Sequence, residues 1–443
     1  MILNHEMIAN EKLPSKRKLS LHLKISQITV ETAYMQLKAE GYIKSIEKVG
    51  YFVEAFTNLS YTQNDTLREV YHAQKPVLYD YDLKTNVVDP LHFPYDTWAK
   101  MERDVFLENK DGLLNSSDPE GLLELRIQIS SILKQYRGIN TSPDTIIVGA
   151  GTDVLLHLLI LLLGKNLTYA LETPGYPKLQ KLYEAYDVEA KSIELDEFGI
   201  IVEELEKLNI DIVHVSPSHQ FPTGIVMPVS RRNQLLQWAY AKLGRFIIED
   251  DYDSEFRFSG NPIPAMQGID VVGKVVYINS FSKSMAPTFR VSFMVLPPVL
   301  LQVFHQKYRF FSNTVPVFDQ MVLARFIETK AFEKHLNRMK LIYKFKRDSL
   351  IDLFKNCCFG KYICFVGEEA GLHFIVRFEI NISESKFIEA AILEGVRVYG
   401  LSEYALTKQT NAHLVIGYGN YQIDDFKNII IKLERAWNQC HFI

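Results

Sequence analysis

Apolar residues recur at Val30, Ala33, Tyr34 and Leu37, the i, i+3, i+4, i+7 spacing of one face of an amphipathic helix. Ser26 stands at its N-cap position and Gly41 just past its end, so the pattern predicts a helix from Ser26 to about Glu40. Upstream, Ser15 is placed to cap a first helix with Leu19 and Leu23 on one face, and Lys24 and Ile25 leave only a short connection. Downstream, two β-like stretches at 42–46 and 51–56 flank a turn at 47–50. Helix, tight turn, helix and hairpin make the plan of a winged helix-turn-helix.

Residues 57–78 are polar and aperiodic and predict a linker. From Tyr79 onward strand-like and helix-like segments alternate, the signature of an α/β domain running to residue 443. Strands are expected at 145–148, 211–215, 245–248 and 274–278, with a turn at 149–152 and a helix at 153–163. The division is therefore 1–56, a winged helix-turn-helix unit; 57–78, a linker; and 79–443, a large α/β domain. No internal repeat or low-complexity tract is visible.

Composition narrows the classes. The 443 residues are 47% hydrophobic and 23% charged, which suits globular domains and excludes a mainly disordered chain. The longest apolar stretch, 154–163, is interrupted by His157 and falls short of the roughly 20 residues a bilayer span needs. The N-terminus has no basic region followed by an apolar one, so a cytoplasmic protein without membrane attachment is expected. The net charge of −4 is unevenly spread: residues 1–56 hold seven Lys and one Arg against six Glu, net +2, leaving −6 for the remainder. A cationic N-terminal unit on an acidic body suits contact with an anionic polymer. Cys357, Cys358, Cys364 and Cys440 lack paired spacing and a nearby His, so they read as buried or idle thiols and no metal site is expected.

The segment Leu13-Pro14-Ser15-Lys16-Arg17, the block Thr29-Val30-Glu31-Thr32-Ala33-Tyr34-Met35-Gln36-Leu37 with Glu40-Gly41-Tyr42, and Gly50-Tyr51-Phe52-Val53 resemble the GntR-type winged helix. The resemblance implies double-stranded DNA as partner. Lys16, Arg17, Lys44 and Lys48 would meet phosphates, and Gln27, Thr29 and Thr32 would reach bases or nearby phosphates. Gln27 stands where the family usually carries Arg.

The sharpest chemical motif is Ser280-Phe281-Ser282-Lys283-Ser284-Met285-Ala286-Pro287-Thr288-Phe289-Arg290. A Lys after a buried strand, flanked by hydroxyls and followed seven residues later by Arg, resembles the Schiff-base segment of fold-type I enzymes that use pyridoxal 5′-phosphate (PLP). A partly desolvated amine suits imine chemistry, and a guanidinium fork with the Ser280 and Ser282 hydroxyls suits a phosphate. Thirty-three residues before Lys283, an apolar strand ends in Asp250. The resemblance assigns Asp250 to the pyridine nitrogen, with Asp251 as the other candidate, and Tyr252 to the phenolic oxygen of the cofactor. Gly149-Ala150-Gly151-Thr152, a Gly-rich turn before a helix, offers Ala150, Gly151 and Thr152 to the phosphate. Tyr176, in Glu172-Thr173-Pro174-Gly175-Tyr176-Pro177, is the candidate ring to stack on the pyridine. Residues 216–224 resemble the aminotransferase NPTG turn, with Phe221 in place of its Asn and His219 either a site residue or a structural one.

These motifs stand in the order and spacing of fold-type I aminotransferases over residues 79–443. With the N-terminal unit, the chain resembles MocR/GabR-type transcription regulators. The resemblance implies a large mixed, mostly parallel sheet flanked by helices, a small α/β subdomain, a homodimer, and a regulator that senses PLP or an amino compound. Two positions depart from working aminotransferases: Val415 occupies the place of the substrate-carboxylate Arg, and Ser116 that of a phosphate-binding Tyr. A true aminotransferase with a relic N-terminal domain is the alternative.

Overall fold

The computed structural model describes residues 7–55, 77–110, 112–258, 263–405 and 412–441. The chain divides into two compact units, Met1–Val77 and Leu78–Ile443. The expected linker at 57–78 lies almost wholly outside the described residues.

In the first unit, Ser15 caps α1 (Lys16–Leu23) by accepting from the Lys18 amide, and Ser26 caps α2 (Gln27–Ala39) by accepting from the Thr29 amide. Lys24, with a φ of 54°, turns the chain between them. Strands β1 (Ile43–Ile46) and β2 (Gly50–Val53) pair antiparallel, Ile43 opposite Val53 and Ile46 opposite Gly50, with Lys48 at the hairpin turn. The core is Leu13, Val30, Tyr34, Ile43 and Val53, and the Tyr34 hydroxyl donates to the Pro14 carbonyl at 2.9 Å. Two expected core positions are exposed. Leu23 ends α1 where the backbone turns away, and Ala33 lies beside the stripe, so only Val30, Tyr34 and the half-buried Leu37 carry it.

In the second unit, β3 (Tyr81–Asp82) pairs in parallel with β14 (Val396–Arg397). Eight strands form the large sheet: β4 (Ile146–Gly149), β5 (Tyr169–Thr173), β6 (Ala190–Asp196), β7 (Gly199–Ile200), β8 (Ile212–Val215), β9 (Phe246–Asp251), β10 (Val275–Ser280) and β11 (Ser292–Val295). Their order is β4-β11-β10-β9-β8-β5-β6-β7. The run β10-β9-β8-β5-β6 is parallel; β11 is antiparallel to both β10 and β4, and β7 to β6. A smaller antiparallel sheet has the order β12 (Ile363–Val366), β13 (His373–Phe378), β16 (His413–Gly417), β15 (Tyr399–Gly400). Helices such as Thr152–Leu163 and Val229–Tyr240 cover the large sheet with apolar stripes. No described helix is long and apolar enough to cross a membrane.

This topology decides where chemistry can collect. Strands β4, β5, β8, β9 and β10 run the same way, so their C-terminal ends share one edge, where open α/β sheets bind ligands. β11 runs oppositely and begins at that same edge. The Gly-rich turn follows β4, Tyr176 follows β5, Ser216 and Phe221 follow β8, Tyr252 follows β9, Lys283 follows β10, and Arg290 precedes β11.

Candidate functional site

A cavity of about 420 Å³ opens at that edge, and Lys283, Asp250, Tyr252, Tyr176, Ser280, Ser282, Arg290 and Thr152 all line it. Lys283 sits in the short helix Phe281–Ser284, capped by Ser280, whose hydroxyl lies 2.7 Å from that of Ser282. The Lys283 amine donates to the Thr85 carbonyl. Burial lowers its pKa to about 8, with Asp253 offsetting part of the shift.

Strand alternation separates the two Asp candidates. Ile248 and Asp250 face the side packed by the helix Thr152–Leu163, whereas Ile247 and Asp251 face the other. Asp250 reaches the cavity; Asp251 is buried away from it, 2.7 Å from Arg137 Nε and accepting from the Tyr277 hydroxyl at 2.5 Å. His214, on the same face of the neighbouring strand, stands 3.6 Å from Asp250, and its Nδ1 lies 2.9 Å from the Tyr183 hydroxyl.

Tyr252 is held from behind. Its hydroxyl lies 3.1 Å from His219 Nδ1, which is 3.0 and 3.1 Å from the two oxygens of Asp253. Since a carboxylate only accepts, Nδ1 carries the proton, and the Tyr252 oxygen can accept from it while its own proton points elsewhere. Burial and the Asp253 charge push the Tyr252 phenol well above its ordinary range, so it stays protonated. His219 does not line the cavity. Gly371 closes over this pair: its φ is 73°, and a Cβ there would stand 2.4 Å from both Asp253 and His219.

At the rim, Arg290 is half exposed, with Nη2 3.5 Å from Asp153 and 3.4 Å from the Ala150 carbonyl. Its close approach needs Gly151, where φ is 94° and a Cβ would lie 2.2 Å from the guanidinium. The expected cradle is only partly present. Thr152 lines the cavity, but Ala150 and Gly151 do not; their amides donate to Thr314 Oγ1 and to the Gly149 carbonyl.

Several wall residues escaped the sequence reading. Thr85, Asn86, His373, Glu403 and Tyr404 line the cavity without any local motif to mark them. Glu172 lies in a quoted motif but was given no role. Its Oε2 accepts from the Ser216 amide at 3.0 Å, its Oε1 is buried without a partner, and burial raises its pKa to about 8. Phe221 makes edge contacts with Tyr176, Tyr252 and Tyr404 and a tilted contact with His373. Val415 is fully buried among Ile375, Leu401 and Tyr404. Arg397 is tied to Glu403 at 2.7 Å and lies over Tyr399, and Ser116 is exposed outside the cavity. The cysteines are free thiols; Cys358 is exposed and the other three are half-buried.

On the first unit, Arg17, Gln27 and Lys48 are exposed, but Lys16 pairs with Glu31 and Lys44 with Glu54 at 3.3 Å. The Thr29 and Thr32 hydroxyls are also engaged, with Ser26 Oγ and the Ile28 carbonyl, each at 3.0 Å.

Two families of known proteins match separate stretches of the chain. Residues 81–414 match the family "Aminotransferase class I and II", and residues 1–53 match "Bacterial regulatory proteins, gntR family". The chain is 37% identical to the HTH-type transcriptional regulator YhdI of Bacillus subtilis, over 96% of this chain and 91% of that one. It is 27% identical to the probable rhizopine catabolism regulatory protein MocR of Rhizobium meliloti, over 98% and 91%. The multiple substrate aminotransferase of Thermococcus profundus shares the fold, with a TM-score of 0.72 and 24% identity over 82% of this chain and 92% of that one.

Proposed function

We propose, for a chain that belongs to the MocR-type regulators, in which a gntR-type helix-turn-helix domain is joined to a class I and II aminotransferase domain, that it binds promoter DNA through its first unit and senses PLP or an amino compound through its second. The carrying observation is one cavity that holds the Lys283 amine, Asp250, Tyr252 and Arg290 together. That donor set fits PLP: a desolvated amine, an inward carboxylate, a phenol donor, and a guanidinium beside a helix N-terminus. Bound there, PLP supplies an electrophilic carbonyl and an electron-withdrawing ring.

The protein's part follows from its residues. Lys283, its amine neutral at mildly alkaline pH, would hold the cofactor covalently. Asp250 would hold a proton on the ring nitrogen. Tyr252, fixed by His219, would donate to the phenolic oxygen, and Arg290 with Thr152 would take the phosphate. Tyr176 and Phe221 pack edge to face along one wall. An amino compound bound beside Lys283 would meet that wall, and DNA affinity would change to the extent that the compound favours one arrangement of the protein. The direct test measures DNA affinity of the PLP-loaded protein with a panel of amines. A visible spectral shift with no change in DNA binding under any amine would reject the sensing role.

Phosphate contacts release counterions, so DNA affinity should fall steeply with salt. Lys48 stands exposed at the tip of the wing. In fluorescence anisotropy, Lys48→Glu is expected to weaken binding to specific and random duplexes alike by about tenfold and to flatten the salt slope by about one. Unchanged binding at moderate salt would remove the wing from the interface.

The second unit exposes large apolar side chains, among them Leu91, Leu114 and Phe310. A homodimer that covers part of this surface is expected, and a two-fold pair of helix-turn-helix units would read a repeated half-site. Light scattering on the PLP-loaded protein at micromolar concentration should give twice the chain mass; a monomer would contradict it.

A further inference from the structure

The outward face of α2 is unusual for a helix meant to read bases through hydrogen bonds. Val30, Tyr34 and Leu37 turn inward. At 100° per residue, Ile28, Thr32 and Met35 therefore point the opposite way. Ile28 is 75% exposed and Met35 57%. The polar groups around them are largely spent within the chain. Thr32 Oγ1 donates to the Ile28 carbonyl and Thr29 Oγ1 lies against Ser26 Oγ; Gln36 donates to Glu40 at 2.8 Å, and Glu31 holds Lys16. With its hydroxyl turned back, Thr32 offers its methyl group. What remains outward is an apolar stripe, Ile28, the Thr32 methyl and Met35; Gln27, exposed in the first turn, lies about 100° round the helix from Ile28. Arg17, Lys18, Lys24 and Lys48 are exposed on the same unit, and no described ion pair engages them.

From this juxtaposition we infer that the recognition helix reads thymine, with Ile28 seated on the thymine 5-methyl group in the major groove and Gln27 placed for an adjacent adenine. The 5-methyl group is the apolar feature of the major groove, and Gln pairs with both adenine N6 and N7. The exposed cations on the same unit, free of described ion pairs, suit phosphates and argue for duplex DNA rather than a protein as the occupant of the stripe. The inference rests on the DNA-binding reading above and adds the bases that are read.

The test uses the full-length, PLP-loaded protein. A selection from random duplexes yields its preferred half-site, which is expected to contain thymine next to adenine. Each thymine is then replaced by deoxyuridine, which removes only the methyl group. At the read position wild type should lose about fourfold in affinity, the value of one buried carbon. Ile28→Ala should bind the thymine and deoxyuridine duplexes equally, and Ile28→Val should keep the discrimination. Ile28 is exposed, so both variants are expected to fold, which circular dichroism checks. A selected site insensitive to deoxyuridine, or a loss that persists in Ile28→Ala, overturns the inference while leaving DNA binding intact. A change confined to oligomeric state in Ile28→Ala would make the stripe a protein contact and overturn it equally. No selected sequence and no binding to random duplexes would remove the DNA-binding reading itself, and this inference with it.

Discussion

Replacing Lys283 with alanine is expected to abolish the visible absorption band of the PLP-loaded protein. Asp250, Tyr252 and Arg290, which line the same cavity from elements other than the short helix of Lys283, survive the change. The variant should still take up PLP, more weakly and reversibly, so dialysis would strip it while wild type keeps its cofactor. The lowered pKa sharpens the expectation. With a pKa of about 8, roughly one tenth of the amine is neutral at pH 7, against about three in ten thousand for an ordinary lysine near 10.5. Only the neutral amine is nucleophilic. The rate of covalent PLP uptake by apo-protein should therefore rise about tenfold per pH unit below 8 and level off above it. Stopped-flow absorbance across pH 6 to 10 measures this. A rate still climbing at pH 10 would place the amine in water, and an unchanged band in Lys283→Ala would end the assignment.

The second large effect concerns turnover. With amino donors and keto acids, the protein should give a spectral change with some amine but no sustained keto product, far below about one turnover per second. Proton transfer at the carbon bearing the amine needs that carbon held in one orientation, and a misplacement of about 1 Å can cost on the order of 100-fold. Apart from Arg290, no guanidinium among the described residues lines the cavity. Val415 is buried in an apolar cluster, and Arg397 is spent on Glu403 and Tyr399. Of the Lys and Arg residues lining the cavity besides Lys283, Arg290 and Lys178 both lie against Asp153 at its rim, and Lys181 is exposed. Phe221, Tyr404 and His373 instead give an uncharged aromatic face, and burial keeps His373 neutral, its Nε2 donating to the Pro222 carbonyl. Product assays over many cofactor equivalents decide the matter. An ordinary enzymatic rate would make this chain an aminotransferase with an added DNA-binding domain.

Chemistry confined to one stretch of chain was legible early. Ser15 and Ser26 cap their helices because a Ser hydroxyl before an apolar stripe has an amide to accept from. Lys283, Arg290 and Asp250 could be singled out because each lies at a strand end in a motif whose spacing is local. The departures from expectation have equally local causes. Thr29 and Thr32 were expected at bases or nearby phosphates, and in the fold their hydroxyls are engaged with a cap and a backbone carbonyl close by. Ala150 looks like a phosphate donor, yet Thr314, 164 residues away, takes its amide.

The sequence by itself determined the two-part organisation, the helix-turn-helix with its wing, the α/β alternation and the lysine that stands in the cavity, since periodicity, capping and short motifs act within a few turns of chain. Strand order and register decided the rest. The choice of Asp250 over Asp251 is one residue of alternation, and it acquires meaning only when helix Thr152–Leu163 packs on one face of β9 and Arg137 reaches the other. The support of Tyr252 by His219 and Asp253, the carbonyl of Thr85 at the Lys283 amine, and the neutral wall around Phe221 all join groups dozens to hundreds of residues apart. Such pairs form because parallel strands deliver their C-terminal ends to a single edge, a property of the folded sheet that no local window of sequence contains.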